Sequence, residues 1–248
     1  MAGIEGKTVL ITGASRGIGA AAARIAHEQG ARVVLHASGE SPAASAAAAA
    51  AGGGAVIYEN LAAPGAGARL VARAIEQAGR LDAVVNNAGV YLSSALDGSD
   101  AAWADSWAAT MAVNVQAPAD ICRAAVAHFR ATGGGIVVNI ASRAGHRGDA
   151  PDGGAYAASK DAVLAMTKTY ARALAGENIL FYAIAPGWVE TRMAPKDIEA
   201  RKKAVHEIPL GRVADPEEVA AMIAFLASGA CPSATGATFD VNGASYVR

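Results

Sequence analysis

Two short patterns in this chain combine residue types that could do chemistry. The first is Thr12-Gly13-Ala14-Ser15-Arg16-Gly17-Ile18-Gly19, which follows an apolar β-rich run and opens an alanine-rich one. Glycines at a strand-to-helix turn permit a tight bend, let backbone N–H groups approach a pyrophosphate, and allow close helix–strand packing. A glycine turn alone also suits an ordinary connection, but its place at the first junction of a βαβ unit favours nucleotide binding. The second pattern is Tyr156 and Lys160, four residues apart and therefore on one helix face. A free phenol titrates at about pH 10, and a nearby ammonium favours its phenolate through opposite charge. Taken singly, such a pair reads as a solvated surface pair, Ser142 as a strand-end cap and Asn114 as a satisfied helix polar group.

These residues need elements to position them. Strand-like runs fall at Thr8–Thr12, Arg32–His36, Ala55–Tyr58, Ala83–Asn86, Ile136–Ile140, Ile179–Ile184 and Thr238–Val241. Helical patterns lie between them at Ile18–Gln29, Pro42–Ala51, Gly67–Ala78, Ala101–Arg130 (read as two helices), Ala155–Ala175 and Pro216–Ala227. Strand–helix alternation at this spacing predicts right-handed crossovers and a parallel sheet covered on both faces. The expected fold is α/β: one doubly wound Rossmann domain over residues 1–248, with a seven-stranded parallel sheet.

Composition narrows the function classes. The 248 residues are 53% hydrophobic and carry 21 Lys+Arg against 22 Asp+Glu, a net charge of −1. That apolar fraction excludes a disordered chain, and the absence of basic excess argues against nucleic acid as a partner. The uncharged stretch Ser41–Tyr58 contains Pro42 and Gly52-Gly53-Gly54, so no membrane span is expected. Met1–Lys7 carries Glu5 and enters a strand pattern at once, so no signal peptide is expected. Cys122 and Cys231 lie far apart and the five histidines show no ligand spacing. No disulfide framework and no metal are therefore expected, and the cytoplasm is the default compartment.

The glycine spacing, G-x-x-x-G-x-G, resembles that of the short-chain dehydrogenase/reductase family. Further motifs follow in that family's order: Asn86-Asn87-Ala88-Gly89, Asn114 in Val113-Asn114-Val115, Ser142, Tyr156-Ala157-Ala158-Ser159-Lys160, and Pro186-Gly187-Trp188-Val189-Glu190-Thr191. The resemblance spans nearly the whole chain. It implies hydride transfer between a nicotinamide and a small-molecule carbonyl or alcohol, with Tyr156 as acid and its phenol shifted toward neutrality by Lys160 and the oxidised nicotinamide. Ser142 would hydrogen-bond the substrate oxygen, Asn114 would hold a water beside the lysine, and Lys160 would also bind the nicotinamide ribose. The implied cofactor contacts are Gly13, Ser15, Arg16, Gly17, Ile18, Gly19, Ser38, Asn60, Leu61, Asn87, Ala88, Gly89, Tyr156, Lys160, Pro186, Gly187, Val189 and Thr191.

NADP(H) is favoured over NAD(H). The second strand ends Leu35-His36-Ala37-Ser38-Gly39 with no carboxylate before Glu40, and Arg16 could pair with a 2′-phosphate. Two departures from the family pattern stand out. Fourteen positions separate Ser142 from Tyr156, one more than in close relatives, which points to an extra residue in Asp149–Gly154. Tyr182 replaces an asparagine four residues before the Pro-Gly pair, a change expected to alter packing under the cofactor.

The tail, with Ile208–Arg212 and Ala234–Gly243, resembles the 3-oxoacyl-acyl-carrier-protein reductase branch. That makes a 3-oxoacyl thioester the leading substrate, on acyl carrier protein or coenzyme A, with Arg130 and Arg172 near positions that meet an acidic carrier. Dehydrogenation of a sugar, polyol or other secondary alcohol is the rival, and a non-catalytic dinucleotide-binding regulator stands behind both. His146 and Arg147 could read an anionic substrate group. The resemblance also implies a homotetramer, with Ala101–Arg130 and the Tyr156 helix as contact candidates.

Overall fold

The computed structural model describes residues 3–195 and 197–248. The N-terminal reading above includes Met1 and Ala2, which lie outside the described residues. Seven strands form: β1 (Thr8–Ile11), β2 (Arg32–Ala37), β3 (Val56–Tyr58), β4 (Ala83–Asn86), β5 (Gly135–Ile140), β6 (Ile179–Pro186) and β7 (Thr238–Val241). Their order is β3-β2-β1-β4-β5-β6-β7, and every neighbouring pair is parallel. Strands β1, β4 and β6 are buried along their whole length, as near-continuous runs such as Thr-Val-Leu-Ile require when both faces are covered.

Helices α1 (Gly17–Glu28), α2 (Pro42–Ala50) and α9 (Pro216–Ala227) bury their small residues against one face of the sheet. Helices α3 (Ala66–Ala78), α5 (Ala117–Thr132) and α7 (Gly154–Leu174) cover the other. Alanine-rich faces let these helices approach the strands closely. The chain reverses direction across the sheet between β1 and β4, and the carboxyl ends of those strands open a crevice, the usual ligand position in such sheets.

A buried ladder ties the layers beneath that crevice. Asn86 Nδ2 donates to Asn139 Oδ1 (2.9 Å), and Asn139 Nδ2 donates to Thr167 Oγ1 (2.9 Å), linking β4 to β5 and β5 to α7. The 101–130 segment forms α4 (Asp100–Met111) and α5, joined by a π-helical turn, Ala112–Gln116, which carries Asn114. Such turns recur at functional sites.

Two helices were not anticipated. The charged α8 (Ile198–His206) buries only Ala204, so its sequence has no apolar stripe to signal it; Asp197 caps it by accepting the Ala200 N–H at 2.9 Å. The other, α6 (Ala144–Arg147), is a single turn. Among the described residues no helix is long and apolar enough to cross a membrane.

Candidate active site

A cleft of about 880 Å³ opens at the carboxyl ends of the central strands. Of the motif residues above, Gly13, Ser15, Arg16, Gly17, Ile18, Ser38, Asn60, Leu61, Asn87, Ala88, Gly89, Ser142, Tyr156, Lys160, Pro186, Gly187, Val189 and Thr191 all line it. Gly19 and Asn114 lie behind its walls instead.

At one end the glycine turn meets the segment after β4. Thr12 Oγ1 accepts the N–H groups of Asn87 and Ala88 (both 2.9 Å), while Asn87 Nδ2 donates to the carbonyls of Thr12 (2.8 Å) and Gly13 (3.2 Å). Gly13 has φ +63°, and a Cβ there would stand 2.9 Å from Ala88 Cα. This crowding leaves bare backbone facing the cleft, a cradle suited to a pyrophosphate. His36, at the end of β2, completes the turn's support: the Gly13 N–H donates to its Nδ1 (3.2 Å) and its Nε2 lies 2.9 Å from the Glu59 carbonyl. That arrangement uses the neutral ring protonated at Nε2, and burial holds the imidazole below its usual range, against the opposing pull of Glu59.

Arg16 is exposed and shares the cleft lining with Ser38. The nearby Glu59 carboxylate is taken by Arg69 (2.8 Å) and Arg73 (3.6 Å) on α3. Asn60 Oδ1 accepts the Ala62 N–H (3.0 Å), which leaves the Asn60 amide group as the donor for an adenine edge. These residues fit a dinucleotide.

At the other end Ser142, Tyr156 and Lys160 converge. Ser142 Oγ accepts the Ala144 N–H (3.1 Å), so its own hydrogen is free to be donated. Lys160 Nζ donates to the Ile140 carbonyl (2.8 Å) and lies 5.6 Å from the centroid of the Tyr156 ring. Burial pulls the lysine down to about 8. The phenol moves opposite to the expected direction: burial, Asp149 and Tyr91 push Tyr156 up to about 12, with the Ser142 hydroxyl opposing. Desolvation is the largest influence on the phenol, and the Lys160 ammonium is bonded to the Ile140 carbonyl.

Asn114 supports the site from behind. Its amide donates to Val90 O (2.9 Å) and Ser159 Oγ (3.0 Å), and its Oδ1 accepts the Val90 N–H (2.9 Å), so the side chain clamps the post-β4 segment to α7.

A family model described as enoyl-(acyl carrier protein) reductase matches residues 13–244. The 3-oxoacyl-[acyl-carrier-protein] reductase of Vibrio cholerae is 34% identical, covering 98% of this chain and 99% of its own. That of Thermotoga maritima is 36% identical, covering 97% and 98%. The cis-4-hydroxycyclohexanecarboxylate dehydrogenase of Sinomonas cyclohexanicum is 35% identical, covering 96% and 95%. The chain belongs to the short-chain dehydrogenase/reductase family. It is an oxidoreductase acting between alcohol and carbonyl with a nicotinamide cofactor.

Within this short-chain dehydrogenase/reductase, several sequence expectations change. Tyr182 is buried in the core cluster that also holds Ala14 and Val189, its hydroxyl donating to Cys231 O (3.1 Å). His146 turns away from the cleft, stacked on Tyr246 at 5.6 Å and 4.0 Å from Asp240, whereas Arg147 lines the cleft. Arg130 is bonded to Glu177 through two contacts (2.6 and 2.8 Å), so it is not a free cation for a carrier, and Arg172 is exposed. The loop with the extra residue folds as a 3-10 turn, Pro151–Gly153, fixed by Ser94 N–H and Oγ donating to Asp152 O (2.7 and 3.0 Å).

The cleft also holds residues that the sequence reading passed over. Tyr91 packs its ring 5.0 Å from that of Tyr156, and Arg143 and Trp188 form the wall beyond Ser142. Trp188 stands inside one of the motifs quoted above and Tyr91 two residues beyond another, so both had a usable signal.

Proposed function

We propose that this chain is an NADPH-dependent ketone reductase whose substrate is a 3-oxoacyl thioester, on acyl carrier protein or coenzyme A. The observation that carries the reading is one continuous cleft, with the glycine turn at one end and Ser142, Tyr156 and Lys160 at the other. When bound, the reduced nicotinamide supplies hydride to the carbonyl carbon. Tyr156 donates its proton to the oxygen as negative charge develops there, and Ser142 donates a hydrogen bond to the same atom. Lys160 holds the nicotinamide ribose and, with a water kept by the Asn114 turn, returns a proton to Tyr156. A phenol at about 12 is fully protonated at neutral pH, which suits the reductive direction. The enzyme works as one domain in the cytoplasm and assembles as a homotetramer, with Trp103 on α4, 36% exposed, at a contact.

A second reading, oxidation of another secondary alcohol, is favoured by the similarity to the Sinomonas cis-4-hydroxycyclohexanecarboxylate dehydrogenase. Loss of NADPH absorbance with acetoacetyl thioesters and a ketone panel separates the two. Turnover of the thioesters is expected; turnover confined to other ketones or to secondary alcohols overturns the substrate assignment.

The coenzyme preference rests on Arg16 and the missing carboxylate after β2. Arg16→Ala is expected to raise KM for NADPH roughly tenfold or more, the worth of a charge-assisted contact, with little change for NADH. Equal effects on both would refute the phosphate role. The pH profile of kcat/KM reports the free enzyme's groups. It should be level below about pH 8 and fall above it as Lys160 loses its charge. Tyr156, at about 12, adds no limb in that range. A profile that rises through this interval would contradict the assignment.

A further inference from the structure

Arg143 is out of place beside Ser142. It lines the cleft yet is only 7% exposed. Nη1 is buried with no hydrogen-bond partner among the described residues. Nη2 approaches Glu207 at 3.7 Å, beyond hydrogen-bond length. The guanidinium carbon stands 5.8 Å from the centroid of the Trp188 ring, another cleft wall. A buried cation with incomplete pairing is costly, and this one sits where a substrate enters.

Its surroundings define what would complete it. Arg147, one turn along α6, also lines the cleft and shares Glu207 at 3.1 Å. Arg192 also lines the cleft and is exposed, but its neighbour Thr191 packs on Gly17 at the glycine-turn end. Glu207 and Asp149 stand near Arg143, and Glu207 also pairs with Arg147. What remains over is the buried Nη1 of Arg143, a donor with no acceptor among the described residues. A planar carboxylate matches the paired N–H groups of a guanidinium.

We propose that this end of the cleft binds a carboxylate of the substrate, so that the ketone reduced at Tyr156 belongs to an oxo acid. The proposal rests on the ketone-reductase reading and names its substrate class. The carboxylate has two sources, a free oxo acid or the far end of a 3-oxoacyl thioester.

The test compares kcat/KM for oxo acids of increasing length with their methyl esters, and for a carboxyl-ended 3-oxoacyl thioester with its uncharged analogue. A preference of about tenfold or more for the charged member is expected, and whichever pair shows it identifies the source. In Arg143→Met the acid-to-ester ratio should collapse toward one, with Arg147→Met lowering it part of the way. NADPH fluorescence in each variant reports an intact fold. Calorimetric titration of the wild-type NADPH complex with pentanoate, an unreactive carboxylate, gives a readout independent of turnover and of any variant's folding. Binding weakened tenfold or more in Arg143→Met supports the proposal. Equal rates for acid and ester in the wild type, or no pentanoate binding, overturn it. Pentanoate binding without turnover of any ketone overturns the reductase reading and leaves the carboxylate site standing.

Discussion

Tyr156→Phe is expected to lower kcat for ketone reduction by roughly 10²–10⁴-fold, the usual contribution of a positioned acid, while NADPH affinity stays within severalfold. The substitution removes one oxygen and keeps the ring, which packs 5.0 Å from Tyr91 and 5.6 Å from Lys160 Nζ. The contacts around the glycine turn, between Thr12, Asn87 and Gly13, do not involve α7, so the dinucleotide end should be unaffected. Steady-state kinetics with a saturating ketone, set beside a fluorescence titration with NADPH, separates the two effects. Near-normal kcat would remove Tyr156 as the proton donor; a parallel collapse of NADPH binding would mean that the residue acts on the cofactor and not the substrate.

The second large effect belongs to a residue that touches no substrate. Gly19→Ala would set a Cβ 2.4 Å from the Gly13 carbonyl oxygen and 2.6 Å from Asn87 Nδ2. Neither neighbour can yield cheaply, because Asn87 Nδ2 is itself bonded to the carbonyls of Thr12 and Gly13. The turn must move, so the cost should reach about 3 kcal/mol, or a fall in Tm of about 6–12 °C for a chain of this size. NADPH affinity should fall tenfold or more as the cradle opens. Gly39→Ala is the control: nothing lies within 4 Å of its would-be Cβ, and the change should be within about 0.5 kcal/mol. Thermal melts with and without NADPH check both. A Gly19→Ala protein as stable as wild type would show that α1 and the post-β4 segment do not pack as described.

What could be read from the sequence follows from physics that is local along the chain. The seven strands were legible because parallel strands buried on both faces are continuous apolar runs, punctuated by glycine and proline. The charged α8 was not, since its one buried residue, Ala204, leaves no periodic signal. The same division holds in the cleft. Glycine spacing and the Tyr156–Lys160 interval are local patterns, and the structure brings those residues to one cavity. The clamp of Asn114 on Val90, the support of Gly13 by His36 and the burial of Arg143 depend on contacts between distant segments. The phenol's shift is of this second kind. Residue types predict a lowered value, but the direction is set by burial in the folded cleft.

The central claim, that this cleft delivers hydride from a nicotinamide to a ketone carbon, is tested most directly by isotope transfer. The purified protein is incubated with a 3-oxoacyl thioester and NADPH deuterated at its transferable position, and the product is analysed by mass spectrometry. One deuterium per product molecule, on the carbinol carbon, is expected with the wild type, with product formation reduced by orders of magnitude in Tyr156→Phe. Product lacking the label, or NADPH bound with no product from any ketone supplied, would contradict the account.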